Sequence, residues 1–276
     1  MGKYTQDATG PQIHLLYSLP VPTPFYHLRL ARELLAADDC PPLLAGQAPA
    51  FYLGNIAPDT QTLTGQTREA THFFDVPMRD LTPAWHTLFR QHPGLADSAK
   101  HPAAHAAFLT GYLCHLALDQ LWISHVFDPV FGEAAPWSNF RHRLFMHNVL
   151  RIYLDELDRP FLRNGVADSL ACARPQRWLP FLTDEALGRW RDFVAGQLAD
   201  GGEAQTIEVF AKRMGLPPDD FTALLESPAA MQAQLFDRIS LSALDDFRAH
   251  GLALSREVIA EYLHPEGTDE VQRITK

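Results

Sequence analysis

The stretch that decides the fold is GYLCHLALDQLWISH, residues 111–125. It places His115, Asp119 and His125 in an otherwise apolar segment. Burying an ionisable side chain is unfavourable unless the group is paired or holds a metal. His115 and Asp119 are four residues apart, so on a helix they point from the same face. An imidazole and a carboxylate at this spacing are able to bind one divalent ion from consecutive turns.

Both parts of this pattern also have a structural interpretation. His115 and Asp119 could form a buried hydrogen-bonded pair that holds packed helices together. His125 could be a histidine near a helix end, where the helix dipole favours it. Because His125 lies about 80° from His115 around the helix axis, it would hold a second ion and not complete the first site.

Helical patterning extends over most of the chain, with little strand signal, and predicts an all-α fold. The apolar segment itself predicts a central buried helix. The predicted helices span about 25–37, 83–91, 102–127, 139–162, 184–198, 204–213, 219–225 and 229–263. We predict a metal-binding helical core at 1–165 and a helical C-terminal extension at 166–276 packed on it, or one continuous domain. The C-terminal helices could also form a homo-oligomer interface.

Composition and sequence patterns limit the expected binding partners and predict the cellular compartment. The 276 residues are 46% apolar and carry a formal net charge of −10, which disfavours nucleic acid as the main partner because few phosphates would be neutralised. The three cysteines form no CxxC pair, the N-terminus MGKYTQDATGPQ lacks the order of a secretory signal, and no apolar run of about 18 residues exists. We therefore expect a cytoplasmic protein with reduced thiols and no transmembrane segment.

The first half of the chain offers three more candidate ligands. His27 lies in the first predicted helix, Asp59 follows Pro58 in AFYLGNIAPDT, and His72 lies in EATHFFD. Each also has a structural interpretation, because a buried histidine often has a hydrogen-bonding role and an Asp after Pro often caps a turn.

Taken in order, these segments resemble a known family. HLRLAREL at 27–34, LGNIAPD at 53–59, ATHF at 70–73 and GYLCHLALDQLWISH at 111–125 are similar to the bacterial zinc-dependent phospholipase C family, which in turn resembles fungal zinc nucleases that cut single strands. The resemblance covers about residues 25–150. It implies an all-α multi-helix bundle around a buried zinc site.

The resemblance also implies roles for individual residues. The first metal site would comprise Asp59, His72, His115 and Asp119. His125 would be a ligand of a second ion, and His27 a ligand of a third. Asp59 would in addition be the catalytic carboxylate that acts as a base or orients water.

The chain departs from the family pattern at the second site. The family uses His-x3-Glu on the next helix, whereas here His147 is followed by Arg151 and the alternative His142 by Met146. A processed N-terminal tryptophan, which holds a third ion in secreted members, is also missing from this sequence. We therefore predict one to two zinc ions, with His147 or alternatively His142 as a ligand; iron, nickel and manganese also suit such ligands.

These residues predict a metal-dependent hydrolase of phosphoric esters that uses a metal-activated water. The substrate would be a phosphodiester or a phospholipid headgroup. Arg141, Arg143 and Arg151 could bind phosphate, or could be a solvated helix face. The alternatives are a non-catalytic helical scaffold that retains a structural metal, and a different metallohydrolase such as an amidase.

Overall fold

The computed structural model describes residues 21–163 and 165–264. In this part of the chain the secondary structure is helical and contains no β-strand, which confirms the all-α prediction. The α-helices are α1 (Pro24–Ala36), α2 (Pro42–Gly46), α3 (Ala48–Gly54), α4 (Gln61–Thr64), α5 (Glu69–His72), α6 (Ala84–Gln91), α7 (Ala103–Trp122), α8 (Phe140–Leu162), α9 (Val166–Ala171), α10 (Asp184–Leu198), α11 (Thr206–Met214), α12 (Pro218–Leu225), α13 (Pro228–Met231) and α14 (Leu241–Leu263). Shorter 3-10 turns occupy Ala57–Thr60, Pro93–Leu95 and Ser98–Lys100, and π-helical segments occupy Ile123–Phe131 and Gln232–Phe236.

The central helix α7 is buried over most of its surface. From Ala106 to Asp119 every residue is buried, as its apolar sequence predicts. The prediction that one helix extends to Phe127 needs a correction, because regular α-helix ends at Trp122 and a π-helix follows over Ile123–Phe131. The wider turn of a π-helix changes the face on which the later side chains lie.

Two glycines allow α3 and α7 to cross at close range. A Cβ on Gly54 would collide with the carbonyl oxygen of Phe108, and a Cβ on Gly111 would collide with that of Phe51. Only glycine leaves room for such a backbone approach. The crossing places the turn Ala57–Thr60, directly after α3, against the middle of α7.

The buried apolar residues form two cores, and α7 contributes side chains to both. One core joins Phe108 to Leu187 from α10, and the other joins Val149 of α8 to Phe221 of α12. Both cores therefore combine residues from before and after position 165, and the division into 1–165 and 166–276 stays a prediction. None of the described helices has an apolar stretch long enough to cross a membrane.

The C-terminal region contains another difference from the sequence prediction. A single helix over 229–263 is wrong, because α13 and its π-helical extension end at Phe236 and α14 begins at Leu241. The side chain of Ser240 accepts a hydrogen bond from the backbone N–H of Ala243, so it caps a new helix. The predicted bounds of 184–198 are those of α10.

Candidate metal centre

Four separate segments bring five candidate ligands together. His27 comes from α1, Asp59 from the 3-10 turn after α3, His72 from the end of α5, and His115 and Asp119 from the middle of α7. Each of the five is at most 4% exposed. Their donor atoms form two overlapping groups, His27–His115–Asp119 and Asp59–His72–His115, in each of which all ligand atoms lie within 4.8 Å of one another.

Asp119 lies at the centre of this cluster. Its Oδ1 lies 3.2 Å from Nε2 of His27, and its Oδ2 lies 3.4 Å from Nε2 of His72 and 3.5 Å from Nε2 of His115. Nε2 of His72 also lies 3.6 Å from Oδ1 of Asp59. The rings of His27 and His115 stack with centroids 3.8 Å apart. The i,i+4 pair on α7 therefore does meet the three ligands that precede it in the sequence.

Backbone carbonyl groups orient two of the imidazoles. Nδ1 of His115 lies 2.8 Å from the carbonyl oxygen of Asn55, and Nδ1 of His72 lies 3.3 Å from that of Arg68. A carbonyl oxygen only accepts, so each Nδ1 is the donor in these hydrogen bonds. The Nε2 atoms then face the cluster with free lone pairs, the arrangement that is usual for metal-binding histidines.

Several buried polar atoms in the cluster have no hydrogen-bond partner within residues 21–163 and 165–264. They are Nδ1 and Nε2 of His27, Oδ1 of Asp59 and Oδ1 of Asp119. A buried polar atom without a partner costs about 1–3 kcal/mol, and native proteins rarely leave several in one place. A cation would satisfy the imidazole nitrogen and the two carboxylate oxygens together. Three imidazoles and two carboxylates are a donor set that fits zinc.

An arginine, which the sequence analysis did not include, also belongs to this centre. Nη2 of Arg68 donates to Oδ2 of Asp119 at 2.5 Å, and its guanidinium lies over the ring of Phe74 at 4.5 Å from the centroid. Arg68 is four residues before His72, so the same i,i+4 rule that selected His115 and Asp119 would have found it. Its charge partly balances the two buried carboxylates.

The surroundings keep most of the candidate ligands in the protonation state that binds a cation. Burial and the nearby charge of Arg68 lower the pKa of His72 to about 4, and burial and His115 lower the pKa of His27. Burial alone would raise the pKa of Asp119, but the charge of His115 and the other neighbours hold it well below its usual range. Neutral imidazoles and ionised carboxylates are the forms that bind metal ions.

His115 differs from the other two histidines. Burial would lower its pKa, but the charge and hydrogen bond of Asp119 outweigh that effect and raise it. A cation binds the neutral imidazole, so metal binding at His115 would oppose its protonation.

The structure does not bring His125, His142 and His147 to the cluster. His125 is exposed in the π-helical segment, where its Nδ1 lies 2.8 Å from Oγ of Ser124. His142 is half-buried, with its Nδ1 3.0 Å from Oγ of Ser138. These positions support neither residue as a ligand of the same centre.

His147 is buried but packs in the apolar core. Its Nε2 accepts a hydrogen bond from the indole N–H of Trp122 at 3.1 Å, and the rings of Phe127 and Phe131 contact it. An Nε2 that accepts a hydrogen bond has no lone pair left for a metal. This placement favours the structural interpretation of a buried histidine.

The three arginines of α8 have different environments in the structure. Arg141 donates to the carbonyl oxygen of Met214 at the end of α11, and Arg143 donates to that of Gly132, directly after the π-helical segment. Arg151 is only 3% exposed, so the interpretation of a solvated helix face is wrong for this residue.

The geometry defines a class of protein, an all-α protein with a buried cluster of histidines and carboxylates that is able to bind a metal ion. A family model described as zinc-dependent phospholipase C matches residues 23–182, more than half of the chain. The chain therefore belongs to the zinc-dependent phospholipase C family, as the resemblance predicts. Membership indicates a metal-dependent phosphoester hydrolase, and all five clustered ligands lie in the matched range. No curated protein sequence and no solved structure matches the chain.

Proposed function

We propose that this protein hydrolyses a phosphodiester or a phospholipid headgroup with a water activated at the centre formed by His27, Asp59, His72, His115 and Asp119. These side chains would hold one to two zinc ions. A bound zinc ion supplies Lewis acidity and lowers the pKa of a coordinated water. The cytoplasmic location and a homo-oligomer through the C-terminal helices stay predictions.

One observation carries this proposal: Asp59 belongs to the ligand cluster and also lines a pocket. The pocket has a free volume of about 70 Å³ and contains Arg151 and Arg213 beside apolar side chains such as Trp190 and Phe210. A substrate in this pocket would meet the centre at Asp59. A purely structural metal site would not need such an approach.

Asp59 is well placed to orient a water molecule where the pocket meets the centre. Among the described residues its Oδ1 has no hydrogen-bond partner, and the indole N–H of Trp190 donates to the carbonyl oxygen of Ile56 at 2.7 Å, which holds the turn in place. Burial would raise the pKa of Asp59, but the neighbouring His72 and the charge of His115 outweigh that effect and lower it. An ionised carboxylate at this position would orient the attacking water and accept its proton.

The test is zinc-dependent turnover. Purified protein is expected to hold one to two zinc ions by elemental analysis and to cleave a chromogenic phosphodiester or to release the headgroup from phospholipid vesicles. A chelator should remove both zinc and activity, and added zinc should restore both. His115→Ala should abolish zinc binding and turnover, while the exposed His86→Ala should preserve both.

A structural metal site is the second candidate function. Two observations favour it: Arg151 lies where the family motif has a glutamate, and the described residues offer no metal-ligand group other than this cluster. A tightly held ion without turnover on any phosphoric ester would support this candidate and would contradict the hydrolase.

A further inference from the structure

The pocket beside Asp59 contains two cationic side chains that come from distant parts of the chain. Arg151 lies on α8 and Arg213 on α11, which lies after the range that the family model matches. Both line the same pocket as Asp59. The arrangement is therefore a feature of this chain's own fold, with one arginine supplied by the C-terminal region.

The two arginines lie close enough to influence each other. Burial, and next the charge of Arg213, lower the pKa of Arg151 to about 10. Burial also lowers the pKa of Arg213, and the charge of Asp59 opposes that effect. Arg151 is buried and Arg213 is half-buried, and two neighbouring cations disfavour each other's charged form. A bound anion would reduce this repulsion.

The surroundings position the two guanidinium groups differently. Nη1 of Arg151 donates to Oδ1 of Asn148 at 3.2 Å, and its guanidinium lies over the ring of Phe210 at 4.4 Å from the centroid. Arg213 makes no hydrogen bond or ion pair with any residue in the described ranges. Arg151 is thus held in a defined orientation, and the donors of Arg213 are available to a ligand.

We infer that Arg151 and Arg213 bind the phosphoryl oxygens of a phosphoric ester in this pocket and hold the ester next to Asp59. Guanidinium groups match phosphate geometry and form charge-assisted hydrogen bonds with it. Trp190 and Val194 contribute apolar walls to the pocket, and a less polar surrounding strengthens such charge-assisted contacts. This inference rests on the proposed function, because it makes the pocket the substrate site of the metal centre.

A second carboxyl group, that of Asp155, also lines the pocket. Asp155 accepts hydrogen bonds from the hydroxyl groups of Thr23 and Thr206, and burial raises its pKa to about 7. A carboxyl group that is partly protonated near neutral pH repels a phosphate less than an ionised one would.

The test titrates inorganic phosphate into the zinc-loaded protein by isothermal calorimetry at constant ionic strength. Arg213→Gln should raise the dissociation constant about tenfold or more, because it removes charge-assisted hydrogen bonds. The dissociation constant of Arg213→Lys should lie between those of this variant and the wild type. Lysine keeps the positive charge but lacks the paired N–H donors of the guanidinium group. The matched control is Lys212→Gln, an exposed cation next to it on α11, which should change the constant by less than about twofold.

Two results would overturn the inference: wild-type phosphate affinity in Arg213→Gln, or an equal loss in Lys212→Gln, which would indicate diffuse charge. The outcome is separate from that of the proposed function. If no ester is hydrolysed but Arg213→Gln weakens phosphate binding, the anion site stands and the hydrolase does not. If turnover is zinc-dependent but Arg213→Gln leaves phosphate affinity unchanged, the proposed hydrolase function is supported and this phosphate site is contradicted.

Competition identifies the source of the phosphoryl group. The two competitors are glycerophosphocholine and a short-chain phosphatidylcholine below its micelle concentration. Both carry the same headgroup, but only glycerophosphocholine has a free glycerol end. Stronger displacement of phosphate by the lipid assigns the pocket to phospholipid headgroups, and equal displacement assigns it to soluble phosphoric esters. Failure of both to displace phosphate would contradict an ester site.

Discussion

Asp119 contacts more of the centre than any other ligand described above. It lies within 3.5 Å of His27, His72 and His115, and it accepts a hydrogen bond from Arg68. One carboxylate therefore connects ligands from α1, α5 and α7. The consequence is that its charge matters for both metal binding and stability.

We predict that Asp119→Asn loses most of the bound zinc while the helices remain formed. The amide removes the negative charge and replaces one oxygen donor by nitrogen, and it leaves Arg68 buried without its counter-ion. Breaking such a buried pair costs about 3–5 kcal/mol, so the melting temperature should also fall. Elemental analysis and circular dichroism measure the two effects.

The control for this variant is Asp219→Asn, an exposed aspartate on α12, which should keep its zinc and its stability. Full zinc content in Asp119→Asn would show that the carboxylate is not a ligand.

His125 provides the opposite test, because sequence and structure disagree about it. The resemblance implies a ligand of a second ion, whereas the structure places its side chain in solvent on the π-helical segment. We predict that His125→Ala keeps the zinc content and turnover of the wild type within about twofold, as surface substitutions usually do. Loss of one zinc equivalent by elemental analysis would show that His125 does bind an ion.

The crossing of α3 and α7 is the packing feature on which the centre depends. Gly54 and Gly111 let the two backbones approach, and the turn carrying Asp59 then lies beside His115. The sequence does not show that these two glycines meet, because their contact depends on packing between segments almost sixty residues apart.

We predict that Gly111→Ala destabilises the protein by about 1–3 kcal/mol, the usual cost of overpacking. It should also weaken zinc binding, because the two helices must separate. Gly196→Ala in α10 is the matched control, since nothing lies within 4 Å of its added Cβ, and it should be neutral or stabilising by up to about 1 kcal/mol. Urea unfolding measures both; equal effects of the two substitutions would contradict the close crossing.

Helix bounds followed from the sequence wherever capping residues were clear. Thr23 with Pro24 and Thr183 with Asp184 mark the starts of α1 and α10, where each threonine accepts a hydrogen bond from the third residue after it. The failures occurred at the π-helical segments, which an apolar pattern of period 3.6 does not distinguish from α-helix. There tertiary packing overrides the local pattern.

Folding buries titratable groups outside the metal centre, and this affects the pH dependence of stability. Burial raises the pKa of Asp155 to about 7, and two threonine hydroxyl groups donate to its carboxyl group. The native state then holds a proton that the unfolded chain releases above its ordinary pKa of 3.8. The unfolding free energy contributed by this group is fully present below pH 3.8 and is lost as the pH rises to about 7.

We predict that Asp155→Asn flattens the pH dependence of stability between pH 4 and 7. The shift of about three pKa units corresponds to about 4 kcal/mol at about 1.4 kcal/mol per unit, so the variant should gain stability on the neutral side. Denaturant unfolding at a series of pH values measures the difference between the two proteins. Asp246→Asn, an exposed aspartate on α14, should reproduce the wild-type curve; so would Asp155→Asn if its carboxyl group were ionised throughout.

The sequence by itself determined the all-α class, the buried central helix and the five candidate ligands that meet. These depend on local patterns: an apolar segment, an i,i+4 pair, and motifs whose residue types suit a metal. The tertiary structure alone decided that His125, His142 and His147 lie elsewhere, that Arg68 contacts Asp119, and that Arg213 reaches the pocket beside Asp59. The physical reason is that these contacts join residues far apart in the chain. Their distance in space depends on how the helices pack and not on their spacing in the sequence.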